Sequence, residues 1–497
     1  MKQIWNPIFP LHEYVPDGEP HVFGDRVYVF GSHDKEGGDE YCLLDYVCYS
    51  APVTDLTSWR YEGVIYSPSQ DPAYGENRKY IYAPDVVRGN DGRYYLYYCL
   101  LGDHYISVAV CDQPAGRYEY YGNVQNHDGS VLRRFVPGDP AVINDDGVIR
   151  LYYGWSLALP EEQVAAMALS GAQMEEQLIM VQMMLFNRTR EEVLAEPEGL
   201  MGANCVTLED DMLTVASEPV RIVPGQLKAA GTSFEGHAFY EASSIRKIGD
   251  TYYFIYSPQK NNQLCYATSP YPDKEFVYRG VIISNGDVEY QGREQKDADN
   301  LTGTNHGSIE NINGKWYVFY HRLTHGSDYS RQACAEEIRI LPDGSIPQVE
   351  VTSQGLNGKA LKAEGVYPAA IACQITNGQM PNIQFERVKK TQGLPRVTHE
   401  GNRRFITDIA DGTRIGYKYF SFESDCLLKL TLRGPASGTL FAADGDADFG
   451  SIAINPSEEW TDYVLPVRAR GVKPLFLRYQ GSGTLDFEAL RFERIRI

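Results

Sequence analysis

One phrase recurs five times along this chain: a turn of Gly, Asp or Asn, then a short strand rich in Tyr and branched residues. It reads GDRVYVFGSHD at 24–34, DGRYYLYYC at 91–99, DDGVIRLYYGWS at 145–156, GDTYYFIYSP at 249–258 and NGKWYVFYHR at 313–322. The stretches just ahead of these turns, HVF, DVVR, AVIN, SSIRKI and SIENI, are strand-like too. Each copy therefore has the signature of a β-hairpin. The marker tyrosines Tyr28, Tyr95, Tyr152, Tyr253 and Tyr317 lie 67, 57, 101 and 64 residues apart. A gap near 60 leaves room for a four-stranded sheet and its loops. A β unit that cannot cover its own faces must stack on its neighbours. Five such units in a ring predict an all-β chain whose residues 1–345 form a five-bladed β-propeller.

The long gap has its own composition. Residues 160–199 are rich in Glu, Gln, Met, Ala and Leu, all good helix formers. Pro160, Glu161 and Glu162 suit a helix start, where proline lacks nothing and acids meet the positive dipole end. This stretch reads as a helical insertion of one or two helices beside the third blade, its methionines packed in the core. After residue 345 the phrase stops. Residues 346–379 read as a connecting segment. Residues 380–497 carry eight short alternating segments, from RFITDI to TLDFEALRF, that predict a C-terminal β-sandwich.

A chain of 497 residues is too long for one core, which agrees with two domains. The net charge of −20 argues against nucleic acid or an anionic membrane as partner. The opening MKQIWNPIFPLHEY has no apolar signal region, and no apolar run is long enough to span a bilayer. The nine cysteines are scattered without a CxxC pair, which reads as free thiols and argues against zinc. The expectation is a cytoplasmic protein whose oligomeric state is open. Its 36 Tyr, 19 Phe and 5 Trp suit strands and sugar-binding surfaces.

Three acids sit just ahead of inner-strand segments in different repeats: Asp17 in YVPDGEPHVF, Asp85 in YIYAPDVVRG and Glu241 in YEASSIRKI. In a propeller the first strands of the blades line the axis, so carboxylates hundreds of residues apart converge on one funnel. Glycoside hydrolysis needs such a pair, one carboxyl to protonate the leaving oxygen and one to activate water. Removing solvent from a carboxyl, or setting a second one beside it, keeps it protonated near neutrality. Phe239 and Tyr240 beside Glu241 would supply that desolvation.

These segments resemble glycoside hydrolase family 43, matched in five stretches over about residues 5–345. The resemblance implies a five-bladed propeller and an inverting mechanism with a general base, a pKa modulator and a general acid. Asp17, eleven residues before Tyr28, is similar to the family's base, with Glu19 as rival because Asp17-Gly18 stands where Asp-Pro is usual. YAPDVVRGNDGRYYLYY points to Asp85 as modulator, and YEASSIRKIGDTYYFIYS names Glu241 as acid. DPAVINDDGVIRLYYG resembles the family's third-blade segment, with Asp139 structural there. TNHGSIENINGKWYVFYHR places His306 near the axis, where the family's equivalent can contact a structural Ca2+, and SRQACAEEIRI places Arg331 near substrate. His33, His104, Trp155 and Tyr240 are candidates for the rim. The last domain resembles a family 6-type carbohydrate-binding module, read here as a brace for the propeller.

The expectation is an inverting exo-glycosidase that removes terminal β-xylosyl or α-L-arabinofuranosyl residues from plant-derived oligosaccharides and requires no cofactor. The alternatives are another sugar such as galactose, or a non-catalytic carbohydrate-binding propeller.

Overall fold

The computed structural model describes residues 2–77, 79–102, 104–158, 171–196, 201–384 and 391–495. Five antiparallel sheets follow one another in chain order. Blade one comprises Glu19–Phe23, Arg26–Phe30, Tyr46–Pro52 and Arg60–Tyr66. Blade two comprises Ile81–Arg88, Tyr94–Leu100, Ile106–Cys111 and Glu119–Asn123. Blade three comprises Ala141–Asp145, Val148–Trp155, Gly202–Leu208 and Val220–Pro224. Blade four comprises Phe239–Ile248, Thr251–Pro258, Gln263–Ser269 and Val277–Ser284, and blade five Ser308–Ile312, Lys315–Leu323 and Arg331–Ile338. Each recurrent phrase forms the second strand of its blade. The first strands touch in a closed ring, blade one against blades two and five, three against two and four, four against five. Gly18 and Gly307 complete the ring through a parallel bridge.

The tyrosine runs are explained by burial on both faces of a sheet. In blade two, Tyr95 and Tyr97 pack into a core shared with blade three, while Leu96 and Tyr98 pack into one shared with blade one. Residues of period two thus serve opposite faces, and neither face meets water. Three further cores fill the spaces between blades three and four, four and five, and five and one. Blade five has three strands of its own, and the chain's beginning runs along its outer edge. Ile8 N–H donates to Ala333 O at 2.9 Å, and the Asn6 amide bonds both N–H and C=O of Ala335 at 3.0 and 3.1 Å.

The insertion lies between the second and third strands of blade three. It holds α1 (Gly171–Leu185) and α2 (Arg190–Leu194). The expected start at Pro160 falls outside the described residues. Thr189 caps α2, its hydroxyl accepting from Glu192 N–H at 3.2 Å while the Glu192 carboxylate accepts from Thr189 N–H at 2.7 Å.

Two further sheets face each other across a core that includes Tyr417, Phe420, Leu428, Leu430, Leu475, Leu477, Leu490 and Phe492. All eight segments expected after residue 380 are strands there, from Arg403–Ile409 to Leu485–Arg494. The segment 346–379 also contributes, since Leu361–Lys362, Gly365–Pro368 and Gln374–Thr376 each pair with a sandwich strand. The sandwich is fastened to the propeller by ion pairs. Buried Lys418 reaches Asp287 at 2.9 Å and Glu350 at 3.0 Å, Arg404 reaches Glu36 at 2.6 Å and Arg414 reaches Asp299 at 2.6 Å. All nine cysteines are free. Among the described residues no helix is long and apolar enough to cross a membrane.

Candidate active site

Strand register decides which side chains share a level around the axis. Glu19, Asp85, Ala141, Ser244 and Ser308 pair with Phe30, Tyr97, Tyr152, Ile255 and Phe319 of the neighbouring strands, and form one layer. Two residues earlier lie Asp17, Ala83, Asp139, Ala242 and His306, one layer nearer the mouth. Asp17, Ala83, Asp139 and Ala242 all have left-handed backbone, with φ of 59°, 36°, 41° and 69°. Non-glycine residues rarely hold that conformation unless their surroundings impose it, and such residues gather at functional sites. Here the kink turns the chain out of its ladder at the top of four of the five inner strands, those of blades one to four.

The upper layer opens into a cavity of about 380 Å3. Asp17, Asp139, Glu241, Arg331, His306, Tyr41, Tyr82, Trp155, Tyr240, Phe186 and Gln384 line it. Asp17 is the best-anchored of the acids. Arg331 Nη1 donates to its two oxygens at 2.9 and 3.2 Å. Arg331 is itself held by Asp34, with Nε to Oδ2 and Nη2 to Oδ1 both at 2.9 Å, and lies over the Tyr41 ring at 4.9 Å. Burial alone would raise the Asp17 pKa, but the Arg331 charge overrides it and holds the carboxyl well below the usual range. Buried His321 stands behind Asp17, and its Nε2 is 2.9 Å from Thr304 O. A carbonyl can only accept, so Nε2 carries the proton. Burial keeps the ring neutral, and Nδ1 accepts from Asp17 N–H at 3.4 Å.

Glu241 is the opposite case. Its pKa is raised well above the usual value, first by burial and then by the charges of Asp139 and Asp17. Asp139 is next to it in space, for Ala242 N–H donates to Asp139 Oδ2 at 2.8 Å. Burial also raises Asp139. Two carboxyls of one pocket are thus driven apart, Asp17 ionised and Glu241 protonated, as acid–base division of labour requires.

The walls are aromatic. Trp155 lies 6.0 Å from Tyr240 and 5.2 Å from Phe186, and His104 meets Phe186 edge-on at 4.4 Å. Gln384, beyond the propeller strands, donates to Tyr240 OH at 3.0 Å.

The sequence profile of glycosyl hydrolases family 43 matches residues 6–189 and 182–346. The chain belongs to that family. It is also 41% identical over 503 residues to a xylosidase/arabinosidase of Thermoclostridium stercorarium, with 98% of each chain covered. A second xylosidase/arabinosidase, from Bacteroides ovatus, is 29% identical over 68% of this chain and 95% of its own. Among solved structures, a β-xylosidase/α-arabinofuranosidase from a compost microbial metagenome, in complex with xylotriose and in calcium-free form, is 26% identical. It aligns over 69% of this chain and 96% of that one, with a TM-score of 0.50.

Within this family 43 chain the structure brings Asp17, Glu241, His306, Arg331, Trp155 and Tyr240 together in one cavity. It does not bring Asp85 there. Asp85 is one layer deeper, where Oδ1 lies 2.6 Å from His21 Nε2 and accepts from Val86 N–H at 2.7 Å, and Oδ2 accepts from Val142 N–H at 2.7 Å. Asp139, expected to be structural, occupies the place beside Glu241 instead. The signal for it was countable: Asp17 and Asp139 each stand six residues before the last strand residue ahead of the turn, Phe23 and Asp145, whereas Asp85 stands three before Arg88. Glu19, the rival base, is also in the deeper layer, paired with Arg246 at 3.0 Å. His33 is away from the cavity, bound to Asp45 O at 2.8 Å and facing Glu13 at 3.3 Å. Tyr41, Phe186, Gln384 and His321 were not foreseen.

His306 Nδ1 lies 3.8 Å from Asp17 Oδ1 at the pocket's axial end. Among the described residues the ligand-type clusters are Glu36 with His325 and His399, and Glu19 with His21 and Asp85, and neither includes His306.

Proposed function

We propose that this chain is an inverting exo-glycosidase that removes terminal β-xylosyl or α-L-arabinofuranosyl units from oligosaccharides. The observation that carries the reading is the pair of oppositely protonated carboxyls in one aromatic-walled pocket. The xylosidase/arabinosidase names of relatives that cover 98% and 68% of this chain support the choice of sugar. Glu241 delivers its proton to the glycosidic oxygen as the bond to the anomeric carbon breaks. Asp17 takes a proton from a water that attacks that carbon from the opposite face, so the product sugar has inverted configuration. Each turnover leaves Asp17 protonated and Glu241 ionised, and solvent restores both. Asp139 keeps Glu241 protonated between turnovers. Arg331 fixes Asp17 and prevents it from holding a proton in the resting site. The enclosed floor, closed by Arg331 and the axis below it, suits one terminal sugar and therefore an exo mode.

The test is hydrolysis of nitrophenyl β-D-xyloside and α-L-arabinofuranoside, with the first product's anomer followed by NMR. Inverted product is expected. Asp17→Asn and Glu241→Gln should each lower kcat on natural oligosaccharides by about 10³-fold or more, at the upper end of what positioned proton transfer contributes. Wild-type rates in Glu241→Gln, or retained configuration, would overturn the assignment.

A further inference from the structure

Away from the catalytic pocket, three side chains able to hold a metal meet where the sandwich touches the propeller. Glu36 lies in the loop after the second strand of blade one, and His325 follows the second strand of blade five. His399 lies in Arg396–Glu400, an edge strand of the sandwich. Val397 N–H donates to Thr324 O at 3.0 Å and so docks that edge strand beside His325. Glu36 Oε1 is 3.3 Å from His399 Nδ1 and 4.0 Å from His325 Nδ1, and the two rings are 5.6 Å apart. One ligand atom of each residue lies within 4.8 Å of the other two. These spacings are loose for hydrogen bonds. They are close to the edges of a metal tetrahedron, about 3.3 Å where the bonds are about 2.0–2.1 Å. The Tyr14 hydroxyl is 3.4 Å from Glu36 Oε1 and 3.3 Å from His325 Nδ1, but it has one proton and can satisfy only one of them.

We propose that Glu36, His325 and His399 form a binding site for a divalent cation of the zinc class. Bound there, the ion pins the sandwich to two blades of the propeller. Two imidazoles and one carboxylate suit zinc, and they are too poor in oxygen for calcium or magnesium. No cysteine takes part, so the scatter of the nine thiols does not bear on this site. The outer shell is in place. Arg404, paired with His399 across the two strands, donates to Glu36 Oε2 at 2.6 Å and to Oε1 at 3.2 Å. It thereby fixes the carboxylate with Oε1 facing both rings, as ligating carboxylates are commonly fixed. The charges of Arg404 and Arg396 oppose a cation, but four carboxylates stand against them. These are Glu36 itself, Asp408 on Arg396, and Asp39 and Glu40, which line one cavity with His325 and Arg396. That cavity, of about 730 Å3, gives the ion a way in and room for water in the fourth position.

The full-length protein, stripped with EDTA, is titrated calorimetrically with zinc chloride beside its His399→Ala variant, whose exposed position burdens folding little. Wild type should take up one equivalent. His399→Ala should bind it more weakly by at least the ~10–100-fold that loss of even an outer-shell partner costs. Zinc at about 100 times its Kd should raise the wild-type Tm by about 3 °C and leave that of His399→Ala unchanged. Cobalt-loaded wild type, which needs no substitution, should show the intense visible absorption of a four-coordinate ion, and zinc should abolish it. The proposal is overturned by wild type that takes up no equivalent of zinc, by equal affinity in His399→Ala, by the weak absorption of six-coordinate cobalt, or by calcium displacing the zinc.

Discussion

Asp17 and Glu241 are separated by their company rather than by their chemistry. Arg331 sits on one, and Asp139 crowds the other. The bell of kcat/KM against pH should therefore be broad. Its acid limb, Asp17 gaining a proton, lies below the ordinary carboxylate range, and its alkaline limb, Glu241 losing one, lies well above it. Asp139→Asn removes a negative neighbour, so Glu241 ionises more readily and the alkaline limb should move to lower pH by about one unit. Asp85→Asn should leave that limb in place and instead cost about 3 kcal/mol of stability, because Asp85 is spent on His21 and two backbone N–H groups. An unmoved limb in Asp139→Asn, with a moved one in Asp85→Asn, would return the modulator to Asp85. The sequence names both acids, but the count that ranks them, six residues ahead of the turn for Asp139 and three for Asp85, acquires its meaning only once the ends of the inner strands are known. Only the two-residue difference in register puts one in the pocket and the other beneath it.

At the level of elements, strands were the legible part. A turn pair followed by alternating aromatic and branched residues is a local signal, and burial on both faces strengthens it. The insertion was legible as helix, because composition suffices for that, but its role was not. What matters is where α1 ends. Its last residue, Leu185, and the following Phe186 line the catalytic pocket, and Phe186 is packed between His104 and Trp155. No local pattern announces a contact with residues 82 positions away. Phe186→Ala should free the Trp155 ring and loosen one wall of the sugar site. KM for aryl pentosides should rise about tenfold, while the alkaline limb set by Glu241 stays where it is. A shifted limb with unchanged KM would mean that the insertion acts on the acid rather than on the substrate. Gln384 was illegible for the same reason, as it arrives at Tyr240 from 144 residues downstream.

For the whole molecule, five blades are legible from spacing, but the closure of the ring is not, because it joins the two ends of the propeller's own sequence. That closure is centred on a buried acid. Glu336 Oε1 accepts from the Asn6 side chain at 2.9 Å and from Thr352 N–H at 2.8 Å, and Oε2 accepts from the Thr352 hydroxyl at 2.7 Å. It therefore ties the first residues and the segment after the propeller to blade five. Burial pushes its pKa from 4.5 up to about 8. Between those two values the folded chain holds a proton that the unfolded chain releases. The unfolded state then binds fewer protons, so this group's contribution makes stability fall as pH rises through that window and level off above it. The slope is about 1.4 kcal/mol per pH unit for one such group. Glu336→Gln keeps the shape and one carbonyl acceptor, and its amide can donate to the Thr352 hydroxyl, so it removes the titration without emptying the site. Denaturant unfolding of both proteins between pH 5 and 9 checks this. The stability of Glu336→Gln relative to wild type should climb from pH 5 to about 8 and then flatten. A difference that stays constant with pH would mean that Glu336 is ionised in the folded ring at every pH tested, with these three donors and the Tyr320 hydroxyl, 3.2 Å from Oε1, outweighing the cost of burial.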